Sequence, residues 1–437
     1  MNSHKLAVSL ISLFFLADHL GGDRAYLQSF EKNLSLNMAP SRSTKISKAV
    51  IGEITKKDVS VLLNDPAMNQ KWGLVQNQIG KAWGISQGSK KIKVAVIDTG
   101  IDVNHEDLKE NLWKNPGETG FDGSGKDKSS NKIDDDGNGF VDDVFGWNFV
   151  RNNNDLSDNH GHGTHIAGII GAVGGNGKGI SGVSPEISLM ILKYYDPKGF
   201  GEDNLKNTIK AIHYAIDNGA HIINYSGGGL EFSADEKAAV EKARKRGILF
   251  VAAAGNERSN SDINKYYPAD YSLDNIISVT AVDSQTQVLP SSNYGVLTVD
   301  IGAPGNNIYS TLPDNKYGYM TGTSQATAYV SGVAALVLAH HEDYKPVQVS
   351  KYLKNTGDIV DSLKGKTRYN KRLNSYRALS ILDSGLSATG VVAKNTDNLK
   401  NSFATDNSSA QKSSLEVFKG FGDGLMKMIE VDSPQVP

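Results

Sequence analysis

The chain has 437 residues, 39% of them hydrophobic, with 45 glycines and no cysteine. That length and composition allow a large buried core, while the missing thiols exclude disulfides, thiolate nucleophiles and cysteine-based zinc sites. With 46 Lys plus Arg against 48 Asp plus Glu, the formal net charge is −2, so no bulk field favours nucleic acid as a partner.

The N-terminus reads as an export signal. MNSHK carries positive charge ahead of the apolar run Leu6 to Ala17, which is too short to span a bilayer. Residues 1–25 are therefore expected to be a signal peptide, with a buried helix or strand as the alternative. The cleavage point stays open, because no good Ala-x-Ala adjoins the run. No cysteine follows to carry a lipid anchor, and no later run reaches about 18 apolar residues, so no stable membrane anchor is expected. A secreted or periplasmic location follows. Residues 26–61 are mixed and lysine-bearing and read as a short pro-segment or N-terminal arm. A folded domain is expected over 62–384, and a polar linker and tail over 385–437.

From Ile92 the pattern becomes regular. KVAVI is a buried parallel strand by its short apolar run, and it ends in Asp-Thr-Gly. Ile187–Lys193 is a second strand. After it, Leu205, Ile209, Ile212 and Ile216 recur at helical spacing, and Gly219 stops the helix. HIINYS is a strand, and SADEKAAVEKARKRG a helix capped by Ser233, with Glu236 three residues on. Ile248–Asn256 and Ile276–Val282 are two further strands. Gly322–His340 is apolar all round, so it belongs at the centre of a large domain. Tyr376 to Leu382 reads as the last helix. Strands alternating with crossover helices imply an α/β fold: a doubly wound, mostly parallel sheet with helices on both faces.

In such sheets, reactive groups gather beyond the carboxyl ends of the strands. Asp98 and Asn256 follow strands; His162, in HGHGTHIAGIIG, and Ser324, in TGTSQAT, open helices. The four make one chemical sense. A serine hydroxyl needs an imidazole base, the imidazole needs a buried carboxylate, and the oxyanion needs preorganised donors, here an Asn256 amide and the Ser324 N–H. Pairing Asp98-Thr-Gly with Asp383-Ser-Gly as an aspartic protease fails, because the flanks of the two show no internal duplication. An α/β-hydrolase site would need Gly-x-Ser-x-Gly and the opposite order of Asp and Ser.

VAVIDTGID, HGHGTHIAG, AAAGNE and GTSQATAYVSG together resemble the signature segments of the subtilisin-like serine peptidases of secreted bacterial type. The likeness covers roughly Asp65 to Ser384. It implies a serine endopeptidase with Asp98 as orienting carboxylate, His162 as base, Ser324 as nucleophile and Asn256 as oxyanion donor. It also implies that Ser226, Gly227 and Gly228 line an extended polypeptide substrate by strand addition, with Gly199 and Gly201 on the opposite rim. A monomer is expected. The sequence departs from the family after the nucleophile, where Gln325-Ala326-Thr327-Ala328-Tyr329 replaces Met-Ala-x-Pro-His; repacking behind Ser324 is expected, with every catalytic atom kept. A catalytically impaired peptide-binding protein on the same fold is the alternative.

Structural calcium is the expected cofactor. Asp134, Asp136, Asn138 and Asp142 offer oxygens at spacings resembling part of a calcium loop, although the terminal Glu of an EF-hand is missing; an acidic surface turn is the other reading. Asp155 and Asp158, in NNNDLSD, form a second candidate. The resemblance implies a third at Asp107 with the loop Gly175–Ile180. His160 and His165 lack zinc-site spacing. The glycine-rich run 171–182 lacks the ending of a phosphate loop. The segment after Asn256 is expected to floor the specificity pocket, where Asp262 would favour a basic side chain only if turned inward.

Overall fold

The computed structural model describes residues 59–197 and 201–381, with the side chains of 201–203 left aside. The expected signal peptide, nearly all of the expected pro-segment, the expected C-terminal tail and Gly199 lie outside the described residues. Three short helices come first: α1 (Val59–Leu63), α2 (Trp72–Gln76) and α3 (Ile79–Trp83). Helix α1 runs across the expected boundary at 61, and its Leu62 is buried in the core.

Nine strands form the sheet, in the order β10-β11-β7-β6-β5-β4-β1-β3-β2. They are β1 (Gly88–Asp98), β2 (Gly146–Asn148), β3 (Glu186–Lys193), β4 (Ile222–Tyr225), β5 (Leu249–Ala253), β6 (Ile276–Val282), β7 (Ile301–Pro304), β10 (Asp358–Ile359) and β11 (Lys371–Arg372). Every pairing is parallel except β10 with β11. A separate antiparallel hairpin joins β8 (Ile308–Leu312) to β9 (Lys316–Met320). The longer helices are α4 (His162–Gly171), α5 (Gly201–Asp217), α6 (Ala234–Lys245), α7 (Thr323–His340), α8 (Pro346–Thr356) and α9 (Ser375–Ser380).

Strand β1 shows why the sheet is covered twice. Val94 and Val96 belong to a core with residues of α4 and α7, whereas Ala95 and Ile97 belong to a core with residues of α5 and α6. A strand with apolar side chains on both faces needs helices on both faces. The doubly wound α/β architecture read from the sequence is the one observed. Helix α7 is buried from Thr323 to Leu338 and packs on β1, β4, β5, β6 and β7. Helix α6 begins as its composition suggests: Ser233 Oγ accepts the Glu236 N–H at 3.2 Å.

Candidate active site

Asp98 ends β1, and His162 opens α4. Gly163 lets them meet: a Cβ there would lie 2.2 Å from the Gly100 carbonyl oxygen and 3.2 Å from the Asp98 Cβ. His162 Nδ1 donates to Asp98 Oδ1 at 2.7 Å, and the Thr99 N–H donates to the same oxygen at 2.8 Å. Both side chains are buried, and His162 Nε2 has no hydrogen-bond partner. Burial alone would lower the His162 pKa; the charge and hydrogen bond of Asp98 outweigh it, so the net shift is upward. This leaves an imidazole oriented through one nitrogen, with the other unclaimed for proton transfer.

Ser324 occupies the second position of α7, where backbone N–H groups lack intrahelical acceptors. Its Oγ donates to the Ser226 carbonyl at 3.2 Å, and Ser226 Oγ donates back to the Ser324 carbonyl at 3.5 Å. Asn256 Oδ1 accepts the Thr323 N–H at 3.0 Å and the Thr323 hydroxyl at 3.3 Å. The amide oxygen is thus tied to the start of α7, which fixes the plane of the NH2 group. Gly227 and Gly228 form no backbone hydrogen bond within the described residues, while Gly229 exchanges both of its bonds with Tyr267. Gly201 is the first residue of α5.

Two of the departures after Ser324 have a visible counterpart. Tyr329 is buried, and its ring reaches α2, where a Cβ on Gly73 would lie 2.5 Å from the Tyr329 hydroxyl. Gln325 is also buried, and its Oε1 lacks a partner. His165 is locked by its Nε2–H, which faces the carbonyls of Ile308 at 2.9 Å and Gly318 at 3.2 Å. Burial pushes its pKa down to about 3, so it stays neutral. His160 lies beside His162 with ring centroids 6.1 Å apart, and neither of its nitrogens has a partner.

The first candidate metal site draws a carboxylate from another loop. Asp134 and Asp136 converge with Glu118, one ligand oxygen of each lying within 4.8 Å of the others. Asn138 points its amide nitrogen at Asp136 and Asp143, and its oxygen accepts the Phe140 N–H. Asp142 accepts the Lys132 N–H. Asp142, Asp155 and Asp158 line one cleft of about 550 Å³, and each carboxylate accepts hydrogen bonds. Asp155 accepts the Ser157 N–H. Asp158 accepts from Thr99 Oγ1, the His160 and Gly161 N–H groups, and both the N–H and hydroxyl of Thr164. These bonds staple the loop to the start of α4. Asp107 accepts from Asn176, the Ile180 N–H and Tyr317; burial raises its pKa. Asp262 accepts from Val296, Leu297 and Thr298.

Three residues escaped the sequence reading. Glu118 is fully buried, and its Oε2 has no partner; a buried carboxylate two residues after Pro116 carries no periodic signal. Thr99 donates to Asp158 and accepts the Gly163 N–H at 2.9 Å, joining the Asp98 turn to α4. Tyr266 packs against Gly228 and Gly255. Only the pairing of distant segments discloses these roles.

Known proteins bear directly on this arrangement. The chain is 34% identical over 335 residues to subtilisin-like protease 1 of Plasmodium berghei, covering 72% of this chain and 54% of the relative. It is 34% identical over 326 residues to subtilisin-like protease 2 of Plasmodium falciparum, covering 74% and 22%. A thermophilic serine proteinase of Bacillus sp. strain AK1 is 34% identical over 299 residues, covering 68% and 64%. The chain thus spans about half, or less, of the length of the Plasmodium relatives. The profile of the subtilase family matches residues 89–413, which include Asp98, His162, Asn256 and Ser324. With that match over most of its length, the chain belongs to the subtilase family.

Proposed function

We propose that the chain is a secreted or periplasmic serine endopeptidase that hydrolyses peptide bonds through an acyl-enzyme intermediate. Ser324 Oγ attacks the scissile carbonyl carbon as His162 Nε2 takes its proton. That proton passes to the leaving amine as the C–N bond breaks, and a water molecule then releases the acyl group by the same route. Asp98 keeps Nδ1–H in place and stabilises the imidazolium. The Asn256 amide and the Ser324 N–H stabilise the oxyanion. Ser226, Gly227 and Gly228 pair with the extended polypeptide, and Gly199 and Gly201 form the opposite rim.

One observation carries this reading: the buried Asp98–His162 pair at 2.7 Å, its outer nitrogen unclaimed, at the sheet edge where α7 brings in a serine. At rest Ser324 donates to Ser226, so rotation of its hydroxyl toward His162 accompanies substrate binding; such bonds are commonly loose before the substrate arrives. Residues 1–25 act as the signal peptide, 26–61 as pro-segment or arm, 62–384 as the peptidase domain and 385–437 as linker and tail. The enzyme works as a monomer, without a stable membrane anchor. No helix among the described residues is long and apolar enough to cross a membrane.

Calcium belongs to this reading as a structural ion. Glu118, Asp134 and Asp136 would hold it: the donor set is all oxygen, and one buried Glu118 oxygen lacks any other partner. Ligands about 2.4 Å from a common centre lie at most roughly 4.8 Å apart, which suits a hard cation of this size. The ion would brace the surface turn and take no part in the chemistry.

Casein hydrolysis tests the function. Ser324→Ala is expected to lose activity by about 10⁶-fold in kcat, the scale seen for the nucleophile of subtilisin. Asn256→Ala is expected to lose roughly 10²- to 10³-fold. A Ser324→Ala enzyme that still digests casein overturns the assignment. Wild-type protein that binds casein without turnover points to the impaired peptide-binding alternative.

A further inference from the structure

Strands β4 and β5 run side by side to Tyr225 and Ala252. Beyond that edge the chain leaves them as two segments, Ser226–Gly229 and Ala254–Asn256. Ser324 touches the first through Ser226, and Thr323 touches the second through Asn256. A side chain next to the attacked carbonyl must enter the gap between these segments. The gap already holds an aromatic ring. A Cβ on Gly228 would lie 2.4 Å from Tyr266 Cε1, and one on Gly255 would lie 2.9 Å from Tyr266 Cδ2. Those two carbons are on opposite edges of the ring, so Tyr266 spans the space from one glycine wall to the other.

The ring is held there. The Tyr266 N–H donates to Asp270 at 2.8 Å, and the Asp270 N–H returns to the Tyr266 carbonyl at 3.0 Å. Tyr267 then locks the segment by exchanging backbone bonds of 2.7 and 2.9 Å with Gly229. The floor is aromatic as well: a Cβ on Gly227 would meet the Tyr194 hydroxyl at 2.2 Å and the Tyr225 ring at 3.0 Å. Tyr266 itself is only 9% exposed. A pocket so filled has no room for a second ring, and overpacking it would displace backbone on both walls.

We infer that Tyr266 sets substrate specificity by filling the pocket beside Ser324, so that the residue supplying the attacked carbonyl must have a small side chain such as Ala, Ser or Gly. The inference rests on the peptidase reading, from which its test separates it. Peptides differing only at that residue, Ala or Phe, are assayed with the full chain. Wild type is expected to favour Ala over Phe by roughly 100-fold in kcat/KM, the range that pocket size can command. Tyr266→Gly and Tyr266→Ala are each expected to raise Phe cleavage at least about tenfold and narrow the ratio. Equal cleavage of both peptides by wild type overturns the inference while leaving the peptidase intact. So does an unchanged ratio in both variants. If the wild-type profile shows no cleavage of any peptide, the peptidase reading falls, and this inference with it. Should both variants fail to fold, the wild-type ratio alone decides.

Discussion

His162 is under two opposed influences. Burial disfavours its imidazolium, and the Asp98 carboxylate 2.7 Å away favours it; the second prevails, and the pKa rises above the ordinary 6.5. A raised folded-state value means that the pair adds stability fully below the unfolded value, and that this contribution is lost as pH rises through the folded one. Catalysis runs the other way, because a base must be neutral. The acid limb of kcat/KM is therefore expected to have its midpoint above 6.5. Asp98→Asn should move that midpoint down and cut kcat by about 10⁴-fold. A pH profile of both proteins checks this, and a wild-type midpoint at or below 6.5 contradicts it. The four residues of this account were legible because each sits in a short stretch whose glycines and apolar flanks announce a strand end or helix start. Thr99 and Asp158, which hold the His162 turn against the Asp98 turn, had no such mark. Their bonds join residues 59 apart, and an Asp in a polar loop reads equally as a ligand or a staple.

Among the elements, buried strands and their helices followed the apolar pattern, with ends shifted by few residues. Strand β1 begins at Gly88, before the apolar run: Gly88 pairs with Glu186 of β3, and after a break in register the pairing resumes at Lys93. The hairpin β8–β9 was invisible for a related reason: β9 is half-exposed, and His165 ties the hairpin from another element. Helix α8 also went unread. The acidic turn shows the limit most sharply. Spacing marked Asp134, Asp136, Asn138 and Asp142, and the turn is built of Asx hydrogen bonds, with Asp134 accepting the N–H groups of residues 137, 138 and 139. The third carboxylate comes from Glu118, across the loop. Calcium at about 100 times its Kd should stabilise the protein by roughly 2.7 kcal/mol, and Glu118→Gln should lose most of that gain. Calorimetry with calcium and with chelator measures it; a wild-type Tm indifferent to chelation would remove the site.

Across the whole molecule, the design is a rigid sheet whose carboxyl edge collects segments distant in sequence. Residues 98, 162, 226, 256 and 324 reach that edge from five different elements or their ends. Helix α7 does most of the joining, since it is buried along most of its length and carries Ser324 in its first turn. Its unusual residues fit this role: Tyr329 reaches α2 against Gly73, so the helix is packed from behind as well as from the sheet. A chain without cysteine depends on such packing and on braced loops for its stability. The central claim is that this helix presents a nucleophile activated by His162. The direct measurement is to treat the protein with a serine-directed phosphonate and map the modified residue by peptide mass analysis. Modification at Ser324, abolished in His162→Ala and accompanied by loss of caseinolysis, is the predicted result. Modification at another residue, or full caseinolysis after Ser324 has been blocked, would contradict it.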